Sequence, residues 1–113
     1  MEIATSQHEN VRTVTAYGRV DSFTAPRLAE VFQRLLSDGL HQLVFDMTNI
    51  DYTSSAGLRV MIDVQKNCRQ AGNGELVLVG VQRRIYETLE LAGFVALFRF
   101  FDKVEDAIGY FTG

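Results

Sequence analysis

The run Asp51-Tyr52-Thr53-Ser54-Ser55-Ala56-Gly57-Leu58 sets consecutive hydroxyls directly ahead of a glycine and an apolar periodic segment. Two kinds of chemistry are open to a hydroxyl in that position. At the start of a helix its oxygen can accept a hydrogen bond from one of the backbone N–H groups that the first turn leaves free. Bearing a phosphate, it would set roughly −1.5 to −2 charges against the same N–H groups and the positive end of the helix dipole. Ser54 and Ser55 both stand where either event can occur. A phosphate here would leave the fold in place while adding charge and bulk to a surface near Asp46 and Asp51, which repels an acidic or apolar partner patch.

Other chemistries fit the residues less well. A serine hydrolase needs Gly-x-Ser-x-Gly and a histidine partner, but Thr53 occupies the place of the first glycine and the histidines are His8 and His41. A phosphoaspartate receiver could use Asp46, yet it also needs an acidic pair after the first strand, which is missing. The Gly-x-x-x-x-Gly-Lys-Ser/Thr phosphate loop is absent, and Gly72-Asn73-Gly74 reads as a turn. Cys68 and the two separated histidines match no metal-ligand spacing. No enzyme activity, metal or cofactor is therefore expected.

The elements that would position the serines can be read from periodicity. Residues 2 to 7 and 11 to 17 alternate as a hairpin turning at His8-Glu9-Asn10. A helix begins near Thr24 with Pro26 in its first turn, carries Leu28, Val31, Phe32, Leu35 and Leu36 at helical spacing, and ends at Gly39. Residues 43 to 46 form a strand whose apolar run suits burial on both faces, so the serine loop follows the carboxyl end of a parallel strand, the edge where ligands usually bind. A second helix runs from about Ser55 to Ala71, with Leu58, Met61, Ile62, Val64, Cys68 and Ala71 on one stripe. Arg59 and Asp63 lie on its other side as an i,i+4 pair, where a partner touching Ser55 would also meet them. Residues 75 to 79 form a strand, 82 to 92 a helix and 97 to 101 a weaker strand, and Asp102 with Glu105 resembles a capping box for a last helix. The expected fold is α/β: a mixed sheet of four to five strands, with an initial hairpin and later parallel strands, covered by three to four helices.

Composition agrees with a single domain over residues 1–113, since 47% of residues are apolar and 22% charged. A net charge of -3 offers no basic footprint for nucleic acid. No window approaches the ~20 apolar residues of a membrane span, and the start Met1-Glu2-Ile3 lacks the pattern of a secretory signal. With a single cysteine, Cys68, on an apolar face, the chain suits a reducing cytoplasm. Phe94 to Phe101, the most apolar segment, reads as an edge strand with its lead-in under the last helix, and as a homodimer or partner surface if its rings are exposed. A monomer or weak homodimer is expected.

Tyr17-Gly18-Arg19-Val20-Asp21, Val44-Phe45-Asp46, Ser54-Ser55-Ala56-Gly57-Leu58 and Leu89-Glu90-Leu91-Ala92-Gly93 together resemble the STAS domain of bacterial anti-sigma factor antagonists, over essentially the whole chain. The resemblance implies a non-enzymatic binding module. It would bind an anti-sigma factor that is also a serine kinase, be released when that kinase phosphorylates a loop serine, and be restored by a PP2C-type phosphatase. The family loop typically reads Asp-Ser-Ser/Thr-Gly-Leu, which aligns the acceptor with Ser55 and leaves Ser54 as a minor candidate. Ser54 stands where the family has Asp, and Ala56 where it has the second hydroxyl. Asp46 or Asp51 would then support the loop. Asp21, Thr53, Ser54, Ser55, Gly57, Arg59 and Asp63 are the implied partner-binding residues. The alternative role is a STAS scaffold in another kinase-phosphatase module or in a lipid-transport complex.

Overall fold

The computed structural model describes residues 1–113. Strands β1 (Glu2–His8) and β2 (Val11–Val20) form the antiparallel hairpin, with Glu9 at φ 55 in its turn. There follow α1 (Ala25–Ser37), β3 (Gln42–Asp46), β4 (Ile50–Thr53), α2 (Ser55–Gln70), β5 (Glu75–Val79), α3 (Arg83–Leu91), a 3-10 turn at Val95–Leu97, β6 (Arg99–Phe101) and α4 (Val104–Thr112). The main sheet runs β1-β2-β3-β5-β6, parallel from β2 onward. Each parallel neighbour is reached through a helix, as the spacing of the apolar segments predicts.

One strand goes beyond the sequence expectation. Residues 51 to 53, expected to open the serine loop, belong with Ile50 to β4, a sixth strand that pairs in parallel with the last residues of β2 through a register shift at Gly18/Arg19. Ile50 and Thr53 are buried while Asp51 and Tyr52 are exposed, and the strand-favouring Ile50, Tyr52 and Thr53 are a local signal at the four-residue lower limit of a recognisable strand.

The central strands are buried on both faces. Leu43, Phe45, Leu76 and Leu78 pack with Leu28, Phe32, Met61, Val64 and Cys68 in the larger core, while Val44, Val77 and Val79 point to the other face and meet Ala107 of α4. That accounts for the unbroken apolar runs in β3 and β5. Phe32 and Phe45 meet edge to face with ring centres 5.3 Å apart, tying α1 to β3.

On α2 the predicted stripe holds at Leu58, Met61, Val64 and Cys68, but Ile62 is half-buried and Ala71 is exposed because the helix has already ended. Gln65 is buried instead. Its amide donates to the carbonyls of Leu76 at 3.0 Å and Leu97 at 2.8 Å and accepts from the N–H of Leu76 at 2.8 Å, so a polar side chain satisfies backbone groups that would otherwise be orphaned. The Asp102–Glu105 capping box does not form: Lys103 is the N-cap of α4 and no side chain caps it. Phe98 is buried, Phe100 packs on Tyr86, and Phe101 packs on Tyr110, so the aromatic segment is largely used inside the domain.

Candidate functional site

The carboxyl ends of β2 and β4 and the first turn of α2 meet at one edge of the sheet. Val20 pairs with Thr53, and the N–H of Ser54 donates to the Val20 carbonyl at 2.8 Å. Ser54 is the N-cap of α2, with φ -87 and ψ 177, and its carbonyl accepts the N–H of Leu58 at 3.1 Å. Its hydroxyl makes no capping bond. Ser54 Oγ is buried and has no hydrogen-bond partner, so the capping role that either serine could fill is filled by neither side chain. Ser55, the first residue of α2, is exposed.

Gly57 sets the depth at which α2 seats. A Cβ there would collide with Thr53 Oγ1 and lie 2.7 Å from Val20 Cγ1, and both neighbours are buried β-branched side chains with little rotamer freedom. Only glycine lets the first turn rest on the strand ends, which holds Ser55 at the rim.

The turn after β2 is built by Asp21. Its Oδ1 accepts the N–H of Phe23 at 2.9 Å and of Thr24 at 3.1 Å, while its own N–H donates to Thr24 Oγ1 at 2.9 Å. Thr24 Oγ1 donates in turn to the Arg19 carbonyl at 2.9 Å. Backbone N–H bonds from Thr24 and Phe23 hold the Asp21 carboxyl below its ordinary range, because they favour the charged form. The locked turn leaves Phe23 91% exposed. Apolar spacing does not single out Phe23; the signal that could have found it is the Asp-x-Phe-Thr turn chemistry, which directs the carboxylate to the backbone. Nearby, the Arg19 guanidinium stacks 4.2 Å from the centre of the half-exposed Tyr52 ring.

Of the residues singled out from the sequence, Asp21, Thr53, Ser54, Ser55 and Gly57 converge on this edge. Thr53 and Gly57 are buried and support it from below. Arg59 and Asp63 lie on the exposed face of α2, but they form no ion pair; the i,i+4 pairs that do form are Glu30–Arg34 at 3.3 Å and Arg83–Glu87 at 3.6 Å. Asp46 turns toward Thr48, accepting its N–H at 3.1 Å and its hydroxyl at 2.6 Å, and so closes the β3–β4 turn. Asp51 is exposed on β4. Neither carboxylate bonds to the serines. His8 and His41 flank the opposite edge of the sheet, beside Val11 and at the start of β3, so neither is available as a base for Ser55. Cys68 is fully buried, and desolvation pushes its thiol up to about 12. No helix is long and apolar enough to cross a membrane.

Known proteins are similar to this chain in sequence and in fold. BtrV of Bordetella bronchiseptica is 33% identical over 98 residues, covering 87% of this chain and 84% of its own. The anti-sigma-B factor antagonist of Staphylococcus epidermidis is 28% identical over 93 residues, covering 82% and 85%. Among solved structures, an anti-sigma factor antagonist from Mycobacterium paratuberculosis superposes with a TM-score of 0.88 at 20% identity, covering 99% of this chain and 94% of its own. SpoIIAA in its unphosphorylated form superposes with a TM-score of 0.81 at 10% identity over 99% of both chains. The model of the STAS domain matches residues 2–107. A match of that extent, on a chain with this sheet order, means that the chain belongs to the STAS domain family.

Proposed function

We propose that this protein is an anti-sigma factor antagonist acting as a serine switch. Unphosphorylated, the edge formed by the Asp21 turn, Ser55 and the exposed face of α2 binds an anti-sigma factor with serine kinase activity; phosphate on Ser55 dissolves the complex and a PP2C-type phosphatase restores it. The chain itself performs no chemistry in this scheme and works in the cytoplasm. The observation that carries the reading is the contrast between adjacent hydroxyls: Ser55 is exposed at the first position of α2, whereas Ser54 Oγ is buried. A kinase must reach the oxygen it modifies, which favours Ser55 over the minor candidate Ser54. The names of relatives support the antagonist role, and SpoIIAA, which shares the fold, has been solved in a phosphorylated form as well.

Electrostatics supply the release. The free N–H groups of the first turn of α2 and its positive dipole end accommodate a phosphate without unfolding the helix. A partner seated on Phe23 and Ser55 would meet a new dianion beside Asp21 and Asp51, and burying that charge without a cation would oppose binding. The test is to incubate the chain with its cognate kinase and ATP, map the phosphate by mass spectrometry, and measure partner affinity before and after. Phosphate on Ser55 with a loss of affinity supports the switch; phosphate elsewhere, or unchanged affinity with Ser55 modified, overturns it.

A further inference from the structure

On the outer side of β2, β1 presents an unusual free edge. It is seven residues long, ends the sheet and is paired only with β2. The other terminal strand of the main sheet, β6, has three residues, and its Arg99 is engaged by Glu75 at 3.5 Å and by the Tyr110 ring at 4.5 Å. Edge strands in folded proteins are usually blunted by lysine, proline or a bulge, since their unpaired N–H and C=O groups template further pairing. Between Ile3 and Gln7, β1 carries no charge, proline or glycine, its register with β2 is unbroken, and residues 4 to 8 are exposed.

From this edge we infer that β1 is a self-association surface, pairing antiparallel with β1 of a second copy to give one continuous sheet. The two-fold axis must stand perpendicular to the sheet, so a residue on the axis faces its own copy and each residue faces one on the same side of the sheet. Among the registers this permits, only the one centred on Thr5 pairs all seven residues. It sets Ile3 against Gln7, Ala4 against Ser6 and, at both ends, the Glu2 carboxylate against the His8 imidazole of the other copy. The strand is therefore self-complementary: acceptor meets donor at each end and no like charges meet. His8 Nε2 lies 3.5 Å from Glu9, and its other ring nitrogen has no partner within the chain and stays free for Glu2. The inference does not depend on the serine switch, because β1 and the Ser55 edge involve different residues.

The Thr5 register provides its own test, because the substituted side chain must meet itself about 5 Å away. Sedimentation of the full chain over a concentration series is expected to show a reversible monomer–dimer equilibrium. Thr5→Lys and Thr5→Glu, each confirmed as folded by circular dichroism, are each expected to sediment as monomers, and an equimolar mixture of the two is expected to recover the dimer. Thr5→Cys is expected to cross-link to its copy under mild oxidation while the parent chain, whose Cys68 is buried, does not. A parent chain monomeric throughout, a Thr5→Lys variant that dimerises like the parent, or a mixture that remains monomeric would each overturn the pairing.

Discussion

The N–H of Ser54 donates to the carbonyl of Val20 at 2.8 Å, and through that bond the turn carrying Asp21 and Phe23 is joined to the helix start carrying Ser55. Parallel pairing of β2 with β4 makes the junction rigid on both sides. Residues more than thirty positions apart in the chain, Phe23 and Ser55 among them, thus share one preformed surface, the one on which the proposed partner would dock.

Gly57→Ala is expected to reduce stability by about 1 kcal/mol. In the first turn of a helix a methyl gains at most about 1 kcal/mol over glycine, whereas overpacking against Thr53 and Val20 costs ~1–3 kcal/mol, so the clash wins. Urea denaturation should show a lower midpoint at an unchanged slope; an equal or higher midpoint would mean that α2 can shift outward freely.

Ser54→Ala separates a cap from an idle hydroxyl. Loss of a working N-cap costs ~0.5–2 kcal/mol, whereas removal of a buried hydroxyl without a partner relieves desolvation. Because Ser54 Oγ is unpaired, stability is expected to be unchanged or higher, and phosphate incorporation at Ser55 should continue. A stability loss above ~1 kcal/mol would show that the hydroxyl caps α2 in solution.

Ser55→Asp is expected to weaken partner binding while leaving stability within roughly 1 kcal/mol, because a negative charge suits the first turn of a helix. Calorimetric titration against the partner and a thermal melt, run on the same sample, distinguish the two effects. Wholesale unfolding would contradict the electrostatic account.

Phe23→Ala tests the exposed ring. With the side chain 91% exposed, unfolding stability should stay within ~0.5 kcal/mol of the parent. Affinity for the partner should fall about tenfold or more if the ring fills an apolar pocket, as buried aromatic anchors do. Parent-like affinity would remove Phe23 from the docking surface.

Asp21 links the turn to pH. Its folded-state affinity for protons is lowered by backbone N–H bonds from Thr24 and Phe23, so its contribution to stability is fully present above the ordinary value of 3.8 and is lost as pH falls through the lower folded value. The stability difference between the parent and Asp21→Asn should be constant above that range and shrink below it. A difference that grows on acidification would reverse the sign and refute the assignment.

Local patterning in the sequence was enough to determine the helices, the hairpin, β3 and β5, and the placement of Ser55 at a helix start, because each rests on periodicity or turn chemistry within a few residues. Family resemblance added the candidate partners. Four features were decided only by tertiary structure. β4 pairs with the end of β2 some thirty residues away, a partner that the minimal four-residue run Ile50-Asp51-Tyr52-Thr53 does not specify by itself. Gln65 sits in the core because Leu76 and Leu97 bring backbone groups to it across the fold. Arg59 and Asp63 have the right spacing to pair and do not, since exposed charges gain little by holding one geometry. Ser54 and Ser55 are equivalent as letters, and the packing at the start of α2 buries one hydroxyl and exposes the other residue. Burial is a property of what packs on top, which no local stretch of chain encodes.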